Sequence, residues 1–323
     1  MHHSPLLVLT APCDRNIPLL SELSQMGTVV VGDSAQDFAK VAVDAKIILN
    51  WSGSLALLRD VFLMSRHVRW IHSRSAGLEE TLFPELIESD VILTNGSGVF
   101  SPSLGEFALA AILYFAKDLR RMIRNQMAGV WQQFDVMMVS GHTLGIVGYG
   151  SIGHAVAARA RAFEMNVLGL SRTVSQHSKE GSLIDQVYPS DKLLEMLSLS
   201  DYIVVTLPLT PQTRGLIADA EFAAMKKNAV IINLGRGPTI DEKAMINALS
   251  EHRIRGAALD VFAQEPLPQE HPFYSMENVL LSPHCADHTA DWLDNAMRFF
   301  LLQLGRFSHG EALSNVVDKT LGY

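Results

Sequence analysis

The chain is poor in several things, and each shortage removes a class of answer. It has 2 cysteines in 323 residues, Cys13 and Cys285, too few for a disulfide framework. Lys and Arg total 26 against 34 Asp and Glu, a formal net charge of −8, and there is no basic run. Nucleic acid and anionic membrane surfaces are therefore not expected partners. No apolar segment approaches the roughly 20 residues that span a bilayer. The opening Met1-His2-His3-Ser4-Pro5 lacks a charged n-region and a long apolar stretch, so no secretory signal is expected. These shortages together predict a reduced, soluble, cytoplasmic protein. Metal ligands are also thinly placed. His284 and His288 stand four apart around Cys285 and Asp287, but Pro283 argues for a turn, and no second Cys/His cluster completes a set. No metal is expected. No internal repeat or low-complexity segment is present.

What is present is ample apolar material, 48% of 323 residues, enough for two domains with separate cores. Short apolar runs read as strands: Leu6 to Leu9, Val29 to Val31, Lys46 to Leu49, Arg69 to His72 and Val91 to Thr94. Helical patterns such as Leu55 to Met64 lie between them. Strands alternating with helices predict parallel βαβ units and a doubly wound α/β domain. Ser103 to Ala116 then reads as a buried helix, apolar nearly all round, continuing through Arg120-Arg121 to Arg124. A second series of strands begins at Thr143. It runs through Val167 to Leu170, Tyr202 to Val205, Ala229 to Ile232, Ala257 to Leu259 and Val279 to Leu281. Ala290 to Leu304 reads as a last helix that crosses back to the first domain.

The strongest local signal is Gly148-Tyr149-Gly150-Ser151-Ile152-Gly153. This G-x-G-x-x-G loop follows the apolar run Leu144 to Val147 and precedes an Ala-rich helical stretch, the context that gives the motif meaning. Its glycines allow a tight turn and close approach of a pyrophosphate to the N–H groups of a helix start. The loop therefore predicts a dinucleotide site. An acidic residue commonly ends the next strand and binds the ribose 2′-hydroxyl; here the strand ends in Ser171-Arg172. A missing carboxylate beside a guanidinium favours a 2′-phosphate, so NADP(H) is expected over NAD(H).

Polar residues also follow later strands, at Asn233 to Gly237, Leu259 to Pro266 and Ser282 to His284. Ligands of open α/β sheets bind beyond the carboxyl ends of strands, so Arg236, Asp260, Glu265 and His284 are expected to converge. An arginine grips a carboxylate with two N–H groups. A histidine exchanges a proton with a substrate oxygen, and a glutamate beside it orients the ring. Each residue alone has a plainer reading, as a solvated loop arginine, a turn glutamate or a core histidine. Their recurrence at successive strand ends favours a shared site.

With those residues in view, the chain resembles the D-isomer-specific 2-hydroxyacid dehydrogenases over nearly its full length. The resemblance rests on the glycine loop, Leu207 to Ile217, the Asn233 to Gly237 block, Leu259 to Pro268 and Ser282-Pro283-His284. It implies a Rossmann-type coenzyme domain, residues 99–292, inserted in a flavodoxin-like substrate domain, residues 1–98 and 293–323. It further implies that Arg236 binds the carboxylate and carbonyl of a 2-oxo acid, with His284 as acid/base and Glu265 as its partner. Asp260 would hold the nicotinamide carboxamide, and Pro208, Leu234 and Gly235 would lie along the cofactor. Ser75-Ala76-Gly77 matches a loop whose N–H groups bind the substrate carboxylate. The long helix and the loop around Trp131 resemble the family's dimer contacts, which implies a homodimer. Two departures stand out: Glu164 where glycine is common, and Ser171 in place of the acid, as in the NADPH-preferring glyoxylate and hydroxypyruvate reductases. His177 and Lys179 would add positive charge nearby. The expected activity is NADPH-dependent reduction of a small 2-oxo acid, glyoxylate or hydroxypyruvate. The alternatives are an NAD-linked dehydrogenase for a bulkier D-2-hydroxy acid and a dinucleotide-sensing, corepressor-like binding module.

Overall fold

The computed structural model describes residues 4–14, 17–172 and 182–322. His177 and Lys179 lie outside the described residues. The chain divides into two compact units: Met1–Phe100 with Ala290–Tyr323, and Ser101–Thr289.

Unit 1 runs β1 (Leu6–Leu9), α1 (Leu20–Gln25), β2 (Val29–Gly32), α2 (Ala35–Phe38), β3 (Ile47–Asn50), α3 (Leu55–Met64), β4 (Trp70–Ser73), α4 (Pro84–Ile87) and β5 (Ile92–Asn95). Its strands are all parallel, in the order β2-β1-β3-β4-β5, the flavodoxin-like doubly wound order. Successive residues point to opposite faces, and both faces are covered, so the strands read as unbroken apolar runs. Leu7, Leu9, Ile48, Ile71 and Leu93 share one core with Leu57, Leu58 and Val61 of α3. Leu6, Val8, Leu49 and Trp70 share the other with Ala296, Met297, Phe300 and Leu304, which lie near the chain's end.

Unit 2 runs α5 (Ser101–Ala116), α6 (Leu119–Met127), β6 (Thr143–Val147), α7 (Ser151–Ala162), β7 (Asn166–Leu170), β8 (Gln186–Tyr188), α8 (Leu193–Leu199), β9 (Tyr202–Val205), α9 (Asp219–Ala224), β10 (Val230–Asn233), α10 (Glu242–Ser250), β11 (Gly256–Leu259) and β12 (Val279–Leu281). Its order, β12-β11-β10-β9-β6-β7-β8, is the Rossmann order with one added edge strand. The final helix, α11 (Trp292–His309), belongs to unit 1 and supplies the core residues named above.

One expectation needs correction, and one strand was not expected. The single long helix from Ser103 to Arg124 is two helices, because Asp118 takes a left-handed conformation (φ 50°). The reason is burial. α5 is packed through Leu104, Ala108, Leu109, Ile112 and Phe115, whereas α6 buries no residue at all, so the chain turns where its apolar face ends. Strand β8 has only three residues and no clear apolar pattern, and it escaped the sequence reading. Glu164 does hold a left-handed conformation at the end of α7 (φ 58°), and its Oε2 accepts a 2.8 Å hydrogen bond from Ser140 Oγ. Among the described residues, no helix is long and apolar enough to cross a membrane, and no group of three or more His, Cys, Asp or Glu could hold a metal ion.

Candidate active site

Register builds the site. Val147, Leu170, Val205, Asn233, Leu259 and Leu281 stand level with one another across six neighbouring parallel strands. The residues that follow them, Gly148, Ser171, Thr206, Leu234, Asp260 and Ser282, therefore leave the sheet along one edge. The glycine loop, Ser171, Leu234 and Asp260, all selected from the sequence, begin at that edge. The strand order reverses between β6 and β9, which marks the crevice where such sheets bind ligands.

The glycine loop is tight at its ends and open in the middle. Gly148 has φ 101°, and a Cβ there would stand 2.8 Å from Leu207 Cδ2. A Cβ on Gly153 would stand 2.6 Å from the Gly148 carbonyl oxygen. Gly150 N-caps α7 without a side-chain cap, and a Cβ on it would meet nothing within 4 Å. Thr206 Oγ1 donates to the Gly148 carbonyl and ties the loop to the end of β9. Ile152 packs into the core beneath, as does Tyr149, whose phenol is pushed up by partial burial, while Ser151 is exposed as the first residue of α7. Open space over an uncapped 12-residue helix start is the shape a dinucleotide pyrophosphate needs, so these residues fit that cofactor. Ser171 donates its N–H to Tyr188 O at 3.0 Å, and Arg172 beside it is exposed. No carboxylate ends β7.

The neighbouring turns are equally close. Pro208 is exposed, and its carbonyl accepts a hydrogen bond from Thr213 Oγ1 at 2.6 Å. Leu234 is buried, and a Cβ on Gly235 would lie 2.6 Å from Leu207 O. Buried Asn233 organises the next turn: its Oδ1 accepts from Gly235 N–H at 3.1 Å, and its Nδ2 donates to Arg236 O at 3.1 Å. Arg236 is half-buried, and its Nη1 donates to Gly235 O at 2.8 Å.

Glu265 and His284 come together. Glu265 Oε2 lies 2.6 Å from His284 Nδ1, and Glu265 Oε1 accepts from Phe262 N–H at 2.9 Å. One carboxylate oxygen is thus fixed by backbone while the other orients the ring and leaves Nε2 for a reaction partner. The pair is partly open, with side-chain exposures of 45% for His284 and 35% for Glu265. It borders a cavity of about 690 Å³ walled by Phe262, Pro266, Leu267, Tyr274 and Leu281.

His284 has φ 52°, a left-handed conformation costly for a residue with a Cβ. Asp260, 2% exposed, explains how it is held. Its Oδ1 accepts from Ser282 Oγ at 2.5 Å, Cys285 N–H at 2.9 Å and Ala286 N–H at 3.1 Å. A buried carboxylate thus pins the chain on both sides of the histidine. Gly237 links Arg236 to the same assembly, because a Cβ on it would fall 1.9 Å from the carbonyl carbon of Phe262.

The anchoring roles of Asn233 and Ser282 were missed in the sequence. Their only signal was a polar residue closing or following a buried strand. Glu242 was missed altogether: it contacts His271 Nε2 at 3.2 Å and accepts from Ala263 N–H at 3.4 Å, bracing the loop that carries Glu265.

Ser75, Ala76 and Gly77 belong to unit 1, in the turn after β4. Ser75 O accepts from Gly96 N–H at 3.3 Å and Ala76 O from Asn95 Nδ2 at 2.8 Å. With those carbonyls tied back, the N–H groups of residues 75–77 have no acceptor among the described residues.

The chain is also similar to known proteins. Residues 109–286 match the family model described as D-isomer specific 2-hydroxyacid dehydrogenase, NAD binding domain. The D-3-phosphoglycerate dehydrogenase of Methanocaldococcus jannaschii is 31% identical over 315 residues, 97% of this chain but only 59% of that protein. The chain thus spans about three fifths of that relative. The glyoxylate reductase of Korarchaeum cryptofilum is 33% identical over 266 residues, 80% of this chain and 79% of that protein. Among solved structures, an NADPH-dependent glyoxylate/hydroxypyruvate reductase from Sinorhizobium meliloti, in complex with NADP and sulfate, is 26% identical, with a TM-score of 0.79 over 99% of this chain and 100% of that one.

Proposed function

Since the chain belongs to the D-isomer-specific 2-hydroxyacid dehydrogenase family, a family of oxidoreductases with a nicotinamide dinucleotide cofactor, we propose that it uses NADPH to reduce a small 2-oxo acid, glyoxylate or hydroxypyruvate, to the D-2-hydroxy acid. The observation that carries this reading is the 2.6 Å contact between Glu265 Oε2 and His284 Nδ1, on the sheet edge that bears the glycine loop.

In the proposed mechanism, the bound dinucleotide supplies the hydride. The chain's residues do the rest. Gly148 to Gly153 would hold the pyrophosphate at the start of α7. Arg236 grips the substrate carboxylate and polarises the carbonyl oxygen. The N–H groups of Ala76 and Gly77, in unit 1, have no acceptor among the described residues and suit a carboxylate. His284 enters protonated and gives the proton on Nε2 to the carbonyl oxygen as it becomes a hydroxyl. Glu265 balances the imidazolium charge and keeps Nε2 aimed outward. Oxidation runs in reverse, with neutral His284 as base. Asp260 keeps the histidine segment in place and would hold the nicotinamide carboxamide.

Ser171 and exposed Arg172 support NADPH, since neither repels a 2′-phosphate and one attracts it. Relatives described as glyoxylate reductases support the substrate class. A second reading, an NAD-linked dehydrogenase for a bulkier acid, draws on the likeness to the phosphoglycerate dehydrogenase. A homodimer is supported by the exposed apolar stretch Ile123, Met127, Val130, Trp131 and Met138, with Trp131 97% exposed.

The test is a steady-state panel pairing NADPH or NADH with glyoxylate, hydroxypyruvate, pyruvate and longer 2-oxo acids. NADPH with glyoxylate or hydroxypyruvate is expected to give the highest kcat/KM. No turnover with any pair would sink the reductase reading in favour of a dinucleotide-sensing module.

A further inference from the structure

Glu242 is the first residue of α10, where a carboxylate commonly serves the helix start. That role is already filled. Asp241 caps α10, accepting from Ala244 N–H at 2.9 Å. Both oxygens of Glu242 turn instead to the segment that follows β11. Oε2 accepts from Ala263 N–H at 3.4 Å, and Oε1 lies 3.2 Å from His271 Nε2. His271 Nδ1 accepts from Phe273 N–H at 3.3 Å, so the ring proton sits on Nε2 and is donated to Glu242. The Glu242 side chain is 28% exposed and that of His271 12%, so water competes weakly for this contact.

The Ala263 peptide is a sensitive place to hold. It joins Ala263 to Phe262, whose own N–H donates to Glu265 Oε1 at 2.9 Å. The same peptide rests on Gly237, where a Cβ would lie 1.9 Å from the Phe262 carbonyl carbon and 2.6 Å from Ala263 N. Gly237 and Glu242 thus grip one peptide from the segment that begins with Arg236. His271 adds a second hold. Its ring lies 4.6 Å from that of Phe273, which is 1% exposed and whose ring is 6.4 Å from that of Phe262. All of these residues belong to unit 2. A segment fixed at Ala263 and at His271 leaves Glu265, between them, little freedom to swing away from His284.

We propose that Glu242, oriented by His271, is a positioning residue for the reaction: it holds the Phe262–Ala263 peptide so that Glu265 Oε2 stays on His284 Nδ1. This rests on the reductase reading and deepens it, because it names what keeps the acid/base pair aligned. Glu242 acts through Phe262 N–H and Glu265. Without it the Phe262 N–H drifts, Glu265 Oε1 loses a fixed donor, and His284 Nδ1 loses its partner. The neutral ring then carries its proton on Nε2, the form a free imidazole prefers, and nothing aims that nitrogen at a substrate.

The test reads both the ring and the rate in the full chain. Magnetic resonance of isotope-labelled histidine gives the tautomer of each neutral ring at about pH 9, above the usual histidine range. The His284 signal is the one missing from His284→Gln. The parent should carry the proton on Nδ1, facing Glu265. Glu265→Ala sets the released limit, with the proton on Nε2, and Glu242→Ala should move toward that limit. Glu242→Ala should also lower kcat for glyoxylate or hydroxypyruvate by about 10- to 100-fold, with KM for the acid and for NADPH within about twofold of the parent. Glu242→Gln, which leaves one carbonyl oxygen for two N–H donors, should fall between the two, and it decides by the same readouts if Glu242→Ala does not fold. A parental tautomer, a parental kcat or a loss carried by KM would leave Glu242 as scaffold only and overturn the assignment. A parent ring with its proton on Nε2 would overturn it too. If the parent reduces no 2-oxo acid, the reductase reading fails and the tautomer alone decides. A shift in Glu242→Ala then upholds the positioning of the pair, and no shift overturns it.

Discussion

Lowering the pH should loosen unit 1 through one histidine. His72, in β4, is 1% exposed, and burial pulls its pKa from 6.5 down to about 3. Its ring lies among Trp70, Phe299 and Phe300, with Nδ1 2.8 Å from Thr94 Oγ1. Above pH 6.5 the imidazole is neutral in both folded and unfolded chains, and its full contribution is present. Below that, the unfolded chain takes up a proton that the folded chain refuses until about pH 3. Stability therefore falls as pH drops through this window, at up to about 1.4 kcal/mol per pH unit. From pH 7.5 to pH 5 the expected loss is about 2 kcal/mol. The assay is urea unfolding at the two pH values. Three of the chain's 4 tryptophans, Trp51, Trp70 and Trp292, lie in unit 1, so a Trp131→Phe background makes fluorescence report that unit. His72→Asn keeps a hydrogen-bonding group near the Nδ1 position and cannot titrate. The parent should lose about 2 kcal/mol more than His72→Asn between the two pH values. Curves that stay parallel within about 0.5 kcal/mol would refute the reasoning.

His284→Ala should cut kcat by about 10²- to 10⁴-fold while nicotinamide fluorescence still shows NADPH binding; lost binding with retained turnover would contradict its role. Ser171→Asp places a carboxylate where a 2′-phosphate would sit, and the NADPH-to-NADH ratio of kcat/KM should fall at least about tenfold. An unchanged ratio would mean that the phosphate is recognised elsewhere. Gly237→Ala drives a Cβ to 1.9 Å from the Phe262 carbonyl carbon, and the backbone that must shift carries the N–H held by Glu265. It should destabilise unit 2 by about 1–3 kcal/mol and lower kcat, read by thermal melting and turnover. A melt indistinguishable from the parent would show that the loop yields freely.

Much of the fold was written locally. Strands buried on both faces announce themselves as continuous apolar runs, which is why β1, β3, β9 and β10 were readable. Three-residue β8 was not, since an edge strand that short carries no periodicity. The break at Asp118 was hidden for a related reason. Helix propensity runs on through Leu119 to Met127, and only the end of the buried surface dictates a turn.

The site divides along the same line. The glycine loop, Ser171-Arg172 and the residue types at Arg236, Glu265 and His284 are chemistry that the sequence determines by itself. Backbone freedom at a helix start and the side chains beyond strand ends are properties of short segments. Register decided that those segments share one edge, since Val205, Asn233, Leu259 and Leu281 align only once the sheet forms. Tertiary structure alone also decided how His284 is held. Its left-handed backbone is stable because Asp260, 24 residues earlier, is buried beneath it with three donors on one oxygen. Arg74 makes the same point in unit 1. In the sequence it is one arginine before a serine. Only packing against Trp51 and Trp292, 23 residues before it and 218 after it, turns it into a covered charge. Electrostatics depends on what excludes water around a group, and that is a property of the folded molecule.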